Sequence, residues 1–374
     1  MSGLYIHIPF CASRCIYCAF YSTVKHKQRS AYIDSVIREM LLRTDFLPQG
    51  EDATINTIYV GGGTPSQIST TDIDCLFNNI YKVYGCESRE TTVEVNPDDV
   101  DANLVQCLVA NGVNRVSMGA QTFDDERLRW LHRRHTSKQV YEAVDRLRQA
   151  GIKRISVDLM YGFPDQTTEQ WQYDIDEVLR LGVEHVSAYS LMYEEGTPLF
   201  RMLEKHEINE VDEELSLWMY NKLVEQLRSA GYEHYEVSNF ALPGCRAQHN
   251  SSYWNDTPYI GLGAAAHSYN RNVRQWNVPD IDAYMAAINE GRVPFEQEKI
   301  DADTHYDDLV TTALRTSDGL DLTMLSAQYQ EYLLKMARPH LLAKRMEQKG
   351  NRIRICEDSF MISDLIMSDL MFVD

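Results

Sequence analysis

The sequence predicts an α/β protein: a partial (β/α)6 barrel followed by a smaller α-rich domain, for which a winged helix is one candidate. Three observations carry that prediction. β-rich runs and amphipathic stretches alternate over residues 1–240, the pattern of parallel strands covered by helices. The joints Asn111-Gly112-Val113, Ala150-Gly151-Ile152 and Leu181-Gly182-Val183 repeat one device, a glycine that stops a helix just before the next strand. Polar residues gather where the strands end, and chemistry in such barrels sits at the C-terminal ends of the strands.

In chain order, strands are expected over residues 4–8, 57–60, 91–95, 115–118, 154–159 and 185–190. Helices are expected over residues 29–42, 71–84, 101–111, 137–150 and 169–181. Cys11 then follows the first strand and residues 61–65 the second. Glu94 and Asn96 end the third, Gln121 follows the fourth and Asp158 ends the fifth. Six units leave such a barrel open on one side, as a large substrate requires. Residues 241–303 break the pattern, crowding Gly, Asn, Tyr and Trp together, and read as a connecting region. Residues 304–374 read as the α-rich domain, closing with a strand over 352–356 and a helix over 362–371.

The bulk chemistry narrows the function. With 36 Lys and Arg against 55 Asp and Glu, the net charge is −19. Such a surface repels phosphate backbones, which argues against general nucleic-acid binding and against purely electrostatic docking on anionic lipid. No apolar run approaches the ~18 residues of a membrane span. The N-terminus has neither the basic nor the apolar region of a signal peptide, so a cytoplasmic location is expected. Thiols stay reduced there, and the eight cysteines read as metal ligands, reactive thiols or small core residues. Cys75, Cys86, Cys107, Cys245 and Cys356 are scattered; the other three are not.

Cys11-x-x-x-Cys15-x-x-Cys18 is the strongest signal. Thiolates are the usual ligands of iron–sulfur clusters, and a short loop can wrap a cubane only if its cysteines are closely spaced. Three ligands leave one iron of a [4Fe–4S] cluster free for a chelating small molecule. The alternative is zinc, which wants four ligands, with His7 or His26 as the fourth. The run Gly61-Gly62-Gly63-Thr64 after strand two lets the backbone approach a ligand closely, or is simply a tight turn.

With Tyr17 before the last cysteine, the triad resembles the signature of the radical S-adenosylmethionine enzymes. The phrase Tyr5-Ile-His-Ile-Pro-Phe-Cys11 narrows the resemblance to the oxygen-independent coproporphyrinogen oxidase group, as do Gly61-Gly62-Gly63-Thr64-Pro65, Glu94-Val-Asn-Pro, Gly119-Ala-Gln-Thr-Phe123 and Asp158-Leu-Met-Tyr-Gly162-Phe-Pro. The resemblance implies that the amine and carboxylate of S-adenosylmethionine chelate the open iron, and that one electron then cleaves the sulfonium to a 5′-deoxyadenosyl radical. It assigns the methionyl amine to Gly62, Gly63 and Thr64, and the remaining cofactor contacts to Glu94, Gln121, Arg133 and Asp158. An acid and an amide can hold ribose hydroxyls, and an arginine can pair with a carboxylate. The other reading of each residue alone is a salt bridge at the barrel rim, and Arg134 competes with Arg133. Tyr5 and Tyr17 are placed against the cofactor, Tyr5 reading also as plain core.

Two functions fit this resemblance: oxidative decarboxylation of coproporphyrinogen, and the haem carriage of the HemW group of chaperones. The chain begins strand one almost at once, reads Cys18-Ala19-Phe20 where the oxidases tend to have a further cysteine, and contains His249-Asn250-Ser251-Ser252-Tyr253-Trp254, which matches the HNxxYW motif of the HemW group. A neutral imidazole is a strong axial ligand for haem iron, and Tyr253 and Trp254 offer flat surfaces. The other reading has His249 and Asn250 hydrogen-bonding a turn while Tyr253 and Trp254 pack an interface; Cys245 and His267 are alternative ligands. The expectation is a haem chaperone carrying a [4Fe–4S] cluster with exchangeable S-adenosylmethionine. The partners implied are haem, an electron donor for the cluster, and a haem acceptor such as a respiratory membrane enzyme. The alternative is a coproporphyrinogen III oxidase or another radical enzyme.

Overall fold

In the computed structural model, which describes residues 2–48, 50–85 and 88–373, the six expected units fold in order. They are β1 (Ser2–Ile8), α1 (Arg29–Leu42), β2 (Ile55–Gly62), α2 (Thr70–Tyr84), β3 (Glu90–Val95), α3 (Ala102–Ala110), β4 (Arg115–Gln121), α4 (Asp125–Trp130), α5 (Ser137–Gln149), β5 (Arg154–Tyr161), α6 (Thr168–Leu181) and β6 (His185–Ser190). Cys86 lies outside the described residues.

Local chemistry sets these boundaries. The Ser69 hydroxyl accepts from the Asp72 amide to start α2, and the Asp101 carboxylate accepts from the Leu104 amide to start α3. Thr136 with Gln139 and Thr167 with Gln170 form capping boxes on α5 and α6. Gly182 ends α6 at φ 61°, a left-handed turn that costs glycine nothing. Helix α4 is absent from the expected pattern because it has only 6 residues, too few to show a period; Asp124 caps it through the Glu126 and Arg127 amides.

Strands β1 to β6 are parallel neighbours, but the sheet continues at both edges. After α7 (Pro198–Glu204) and α8 (Glu213–Ser229) come β7 (Glu233–Glu236) and β8 (Asn239–Ala241), and β8 pairs antiparallel with β6. The segment read from sequence as a connection instead supplies α9 (Gln248–Ser252), β9 (Tyr259–Leu262), β10 (His267–Tyr269), β11 (Val273–Asn277), α10 (Ile281–Asn289) and β12 (Phe295–Lys299). β9 lies parallel beside β1, and β10 to β12 continue antiparallel from it, giving a sheet of 12 strands. Runs of 3–5 residues broken by Gly, Asn and Pro are too short to announce themselves as strands.

The C-terminal part comprises α11 (Ala302–Ala313), β13 (Leu320–Asp321), α12 (Ala327–Leu342), β14 (Met346–Lys349), β15 (Arg352–Ile355) and α13 (Ser363–Leu370). Its helix, strand, helix, hairpin order with sheet order β13-β15-β14 is that of a winged helix. Arg246 ties it to the barrel, bonding Glu233 at 2.9 Å and Asp318 at 3.1 Å. Among the described residues no helix is long and apolar enough to cross a membrane.

The two faces of the barrel strands differ. Ile6, Ile58, Val93, Val116, Val157 and Val186 point outward and are buried under the helices. Inward stand Thr57 and Tyr59, Glu90 with Thr92 and Glu94, Arg115 and Ser117, Ser156 and Asp158, and His185 with Ser187. Parallel strands covered on both faces usually read as continuous apolar runs, and small barrels are filled by branched aliphatic layers. A polar interior of this kind is built to hold polar ligands at its mouth.

Candidate cofactor site at the barrel mouth

The loop after β1 carries the cysteines. It is clamped by backbone bonds: the Cys11 amide donates to Thr23 at 3.0 Å, Ile16 to Leu131 at 3.4 Å, and Leu199 back to Ile16 at 3.0 Å. Ile16 is buried with Leu131, Met160, Phe163 and Leu199, and Tyr17 packs against that group. The Thr64 hydroxyl stands 3.6 Å from the Cys11 sulfur and the Arg133 guanidinium 3.7 Å from that of Cys15. Burial raises the Cys11 and Cys18 thiols above their ordinary range, so a metal must supply the charge that holds them as thiolates. His7, one alternative zinc ligand, has both ring nitrogens in use, toward the Tyr5 hydroxyl and the Tyr21 carbonyl at 3.0 Å each. His26 has one bonded by Arg29 at 2.8 Å. Among the described residues no three Cys, His, Asp or Glu converge on a single-ion position. One thiolate for each of three irons fits this donor set better than zinc does.

Beneath the loop, the glycines of β2 are required by packing. A Cβ on Gly62, at φ 115°, would lie 2.6 Å from the His7 ring, and one on Gly63 would lie 2.8 Å from the Pro9 carbonyl carbon. Glu94 reaches the same place: one carboxylate oxygen accepts from the Tyr59 hydroxyl at 2.7 Å and the other from the Gly62 amide at 3.0 Å. Burial, with Asp158 nearby, nonetheless pushes Glu94 up to about 7. Asp158 rises to about 6 for the same reason, the Ser187 hydroxyl and Arg115 holding it from going further. Gln121 ends β4 at φ 69°, left-handed backbone that a non-glycine residue adopts at a cost, beside a register shift in the β4–β5 pair. The two adjacent arginines part company. Arg133 turns inward to the Asn96 amide oxygen at 2.8 Å and the Gly119 carbonyl at 2.5 Å, whereas Arg134 turns outward to Asp98 and Asp99 at 2.9 and 2.8 Å.

His249 stands at the opposite end of the barrel. The short helix α9 closes the floor, its Gln248 and His249 amides donating to the Glu90 carboxylate at 3.0 and 2.9 Å. The His249 ring is 0% exposed. Nδ1 bonds the Thr57 hydroxyl at 2.8 Å and Nε2 the Tyr253 hydroxyl at 2.9 Å. The ring stacks on Tyr59 at 5.2 Å and 28°, and Tyr59 stacks in turn on Tyr5 at 6.2 Å and 30°. Burial, then the Arg115 charge, depress the imidazole to about 3. The sequence points to His249 as a haem ligand; in this arrangement both nitrogens are occupied and the ring is out of solvent, so ligation there requires α9 to leave the floor. Trp254 lies under the Arg315 guanidinium at 5.8 Å, which is interface packing. The structure thus gathers Cys11, Cys15, Gly62, Thr64, Glu94, Gln121, Arg133 and Asp158 toward the mouth and sets His249 below them.

Residues 5–178 match the model of the Radical SAM superfamily. The protein named "Heme chaperone HemW" of Lactococcus lactis subsp. lactis is 36% identical over 322 residues, covering 85% of this chain and 83% of that one. The chain belongs to the HemW family of radical SAM proteins. The HemW of Bacillus subtilis is a further relative, 32% identical over 333 residues, 88% of this chain and 87% of its own. The HemW-family fold extends to the radical SAM enzyme coproporphyrinogen III oxidase (HemN) of Escherichia coli, which superposes with a TM-score of 0.84 over 99% of this chain and 89% of that one at 21% identity. At that identity the likeness is one of fold. Thr57, Tyr59 and Arg115 also face the barrel interior, Tyr59 bonding Glu94 and Thr57 bonding His249, and motif reading passes over them. Their signal is the alternation Thr57-x-Tyr59-x-Gly61 and Glu90-x-Thr92-x-Glu94, polar at every second position where a buried parallel strand should be apolar.

Proposed function

We propose that this protein binds haem and delivers it to haem-requiring acceptor proteins, on a scaffold that carries a [4Fe–4S] cluster on Cys11, Cys15 and Cys18 with exchangeable S-adenosylmethionine. The single observation that carries the carrier reading is the HNxxYW motif, held as one docked element under the barrel in a chain whose relatives are named haem chaperones. The cofactor would supply, when bound, a chelate for the iron that the cysteines leave open. Gly62, Gly63 and Thr64 would hold its methionyl end, Arg133 would pair with its carboxylate, Glu94, Gln121 and Asp158 would offer acceptors to its hydroxyls, and Tyr5 and Tyr17 would supply apolar contact. The cytoplasm is the proposed location, a respiratory membrane enzyme the proposed acceptor, and a soluble one-electron donor the proposed source of reducing equivalents.

One observation favours a second reading, that of a radical enzyme. The polar barrel interior and the whole cradle are intact, which haem carriage alone does not require. Two anaerobic incubations, one with haem and one with reductant, S-adenosylmethionine and coproporphyrinogen III, separate the two. The carrier reading expects haem to bind with a defined Soret band and no porphyrinogen to be consumed; formation of protoporphyrinogen would overturn it.

The acid at the mouth gives a further test. Glu94 is half ionised near pH 7, and only its carboxylate form can accept bonds through both oxygens. S-adenosylmethionine affinity is therefore expected to rise between pH 6 and pH 8 with a midpoint near that of Glu94, about 7. Glu94→Gln is expected to weaken binding and flatten the profile. Equilibrium dialysis at the two pH values checks this, and an equally steep profile in the variant would remove Glu94 from the cofactor contacts.

A further inference from the structure

We propose that His267, rather than His249, is the side chain that takes the haem iron, on a wall made by His267 and Trp276 beside the open edge of the barrel. The proposal rests on the haem-carrier reading and goes beyond it in naming the ligand and its place.

Four imidazoles lie on or under the inner face of the sheet: His7, His185, His249 and His267. Three have no free nitrogen. His7 is bonded by Tyr5 and Tyr21 at 3.0 Å each, and His249 by Thr57 at 2.8 Å and Tyr253 at 2.9 Å. His185 is bonded by the Ser156 and Tyr235 hydroxyls at 2.7 Å each. His267 differs on every count. Its side chain is exposed, and among the described residues neither of its ring nitrogens has a hydrogen-bond partner.

The fold places that free imidazole beside the cofactor site. β9 runs parallel to β1 with Gly261 opposite Tyr5. Tyr5 faces inward, stacked on Tyr59, so Gly261 faces inward too. A Cβ on Gly261 would run into the His267 carbonyl oxygen, which means that the chain at His267 crosses the inner face of β9. The turn that leads into His267 packs on β1 beside His7: a Cβ on Gly263 would lie 2.7 Å from the His7 carbonyl oxygen. Trp276 opposes His267 in the β10–β11 pair, its ring 6.1 Å away and within 27° of parallel. Nearly parallel to the imidazole, the indole would stand edge-on to a porphyrin held by His267; it buttresses the ring and fixes the direction in which its nitrogens point. The sheet does not close on itself, and ends at β12 on this flank. Partial burial and the Arg274 guanidinium on the same strand face keep the imidazole neutral, the form that binds iron.

Haem titration of the intact chain, read by the Soret band and by ferric electron paramagnetic resonance, tests this. Because His267 is exposed, His267→Ala is expected to fold and melt as the unsubstituted protein does. It should lose the native ligand-field signature and bind haem at least about tenfold more weakly, as loss of a metal contact does. Added imidazole is expected to restore the signature to His267→Gly, which a purely structural role would not allow. His249→Gln, folded by its melting curve, should keep it. An unchanged spectrum in His267→Ala would overturn the proposal, as would a native spectrum lost in a folded His249→Gln. If the unsubstituted protein gives no Soret band, it is the carrier reading that fails.

Discussion

Substituting Cys11 by alanine is expected to abolish the visible absorbance of the anaerobically reconstituted cluster. In the proposed site three thiolates serve it, and the nearby His7 has both ring nitrogens engaged, by the Tyr5 hydroxyl and the Tyr21 carbonyl. Two thiolates on a short loop cannot hold a cubane against loss of iron. Cys75→Ala, on the exposed face of α2, is the matched control and should leave iron content and spectrum unchanged. Iron analysis and absorbance read both variants, and a full cluster on Cys11→Ala would move the ligand set elsewhere. The same variant should bind S-adenosylmethionine more weakly, since in the proposed site the amine and carboxylate would lose the iron and keep only the contacts of Gly62, Gly63, Thr64 and Arg133.

Much of this was legible in the sequence because the signals were local. The six strands of the barrel and α1, α2, α3, α5 and α6 appear within three residues of their expected places, set by caps such as Ser69 and Thr167 and by Gly182. The mouth residues were legible for the same reason, since each sits at or just after a strand end. What was not legible depends on long-range pairing. β9 to β12 have little periodicity of their own, and they exist because β1 leaves an edge for β9 to join. The position of His249 was likewise hidden. A loop rich in Asn, Ser and aromatics reads as mobile and exposed, yet Glu90, 158 residues away from Gln248, accepts two of its backbone amides and pins it under the barrel. Distinguishing Arg133 from Arg134 also needed tertiary structure, since only the curl after α4 decides which one faces Cys15.

His249→Ala is the substitution whose effect is easiest to misread. Removing the ring empties a fully buried site, exposes the Tyr59 face to a void and leaves the Thr57 and Tyr253 hydroxyls without partners. Truncating a buried aromatic-sized side chain costs about 3–5 kcal/mol, and each buried polar group left unpaired costs about 1–3 kcal/mol more before relaxation. A loss of at least about 3–5 kcal/mol in unfolding free energy is therefore expected, readable by denaturant titration of the cluster-free protein. The damage should reach the mouth as well, because Tyr59, stacked on His249, donates the bond that holds Glu94. Tyr59→Phe isolates that second effect: with the ring kept and the hydroxyl gone, Glu94 loses a bond that favours its charged form, and the pH midpoint of S-adenosylmethionine binding should move upward. If His249→Ala instead unfolds within about 1 kcal/mol of the unsubstituted protein, well below the cavity cost, α9 is not a fixed floor. An imidazole freed at that price would then be available to iron. Weakened haem binding by a destabilised His249 variant, by contrast, reports on the floor of the barrel and not on the identity of the ligand.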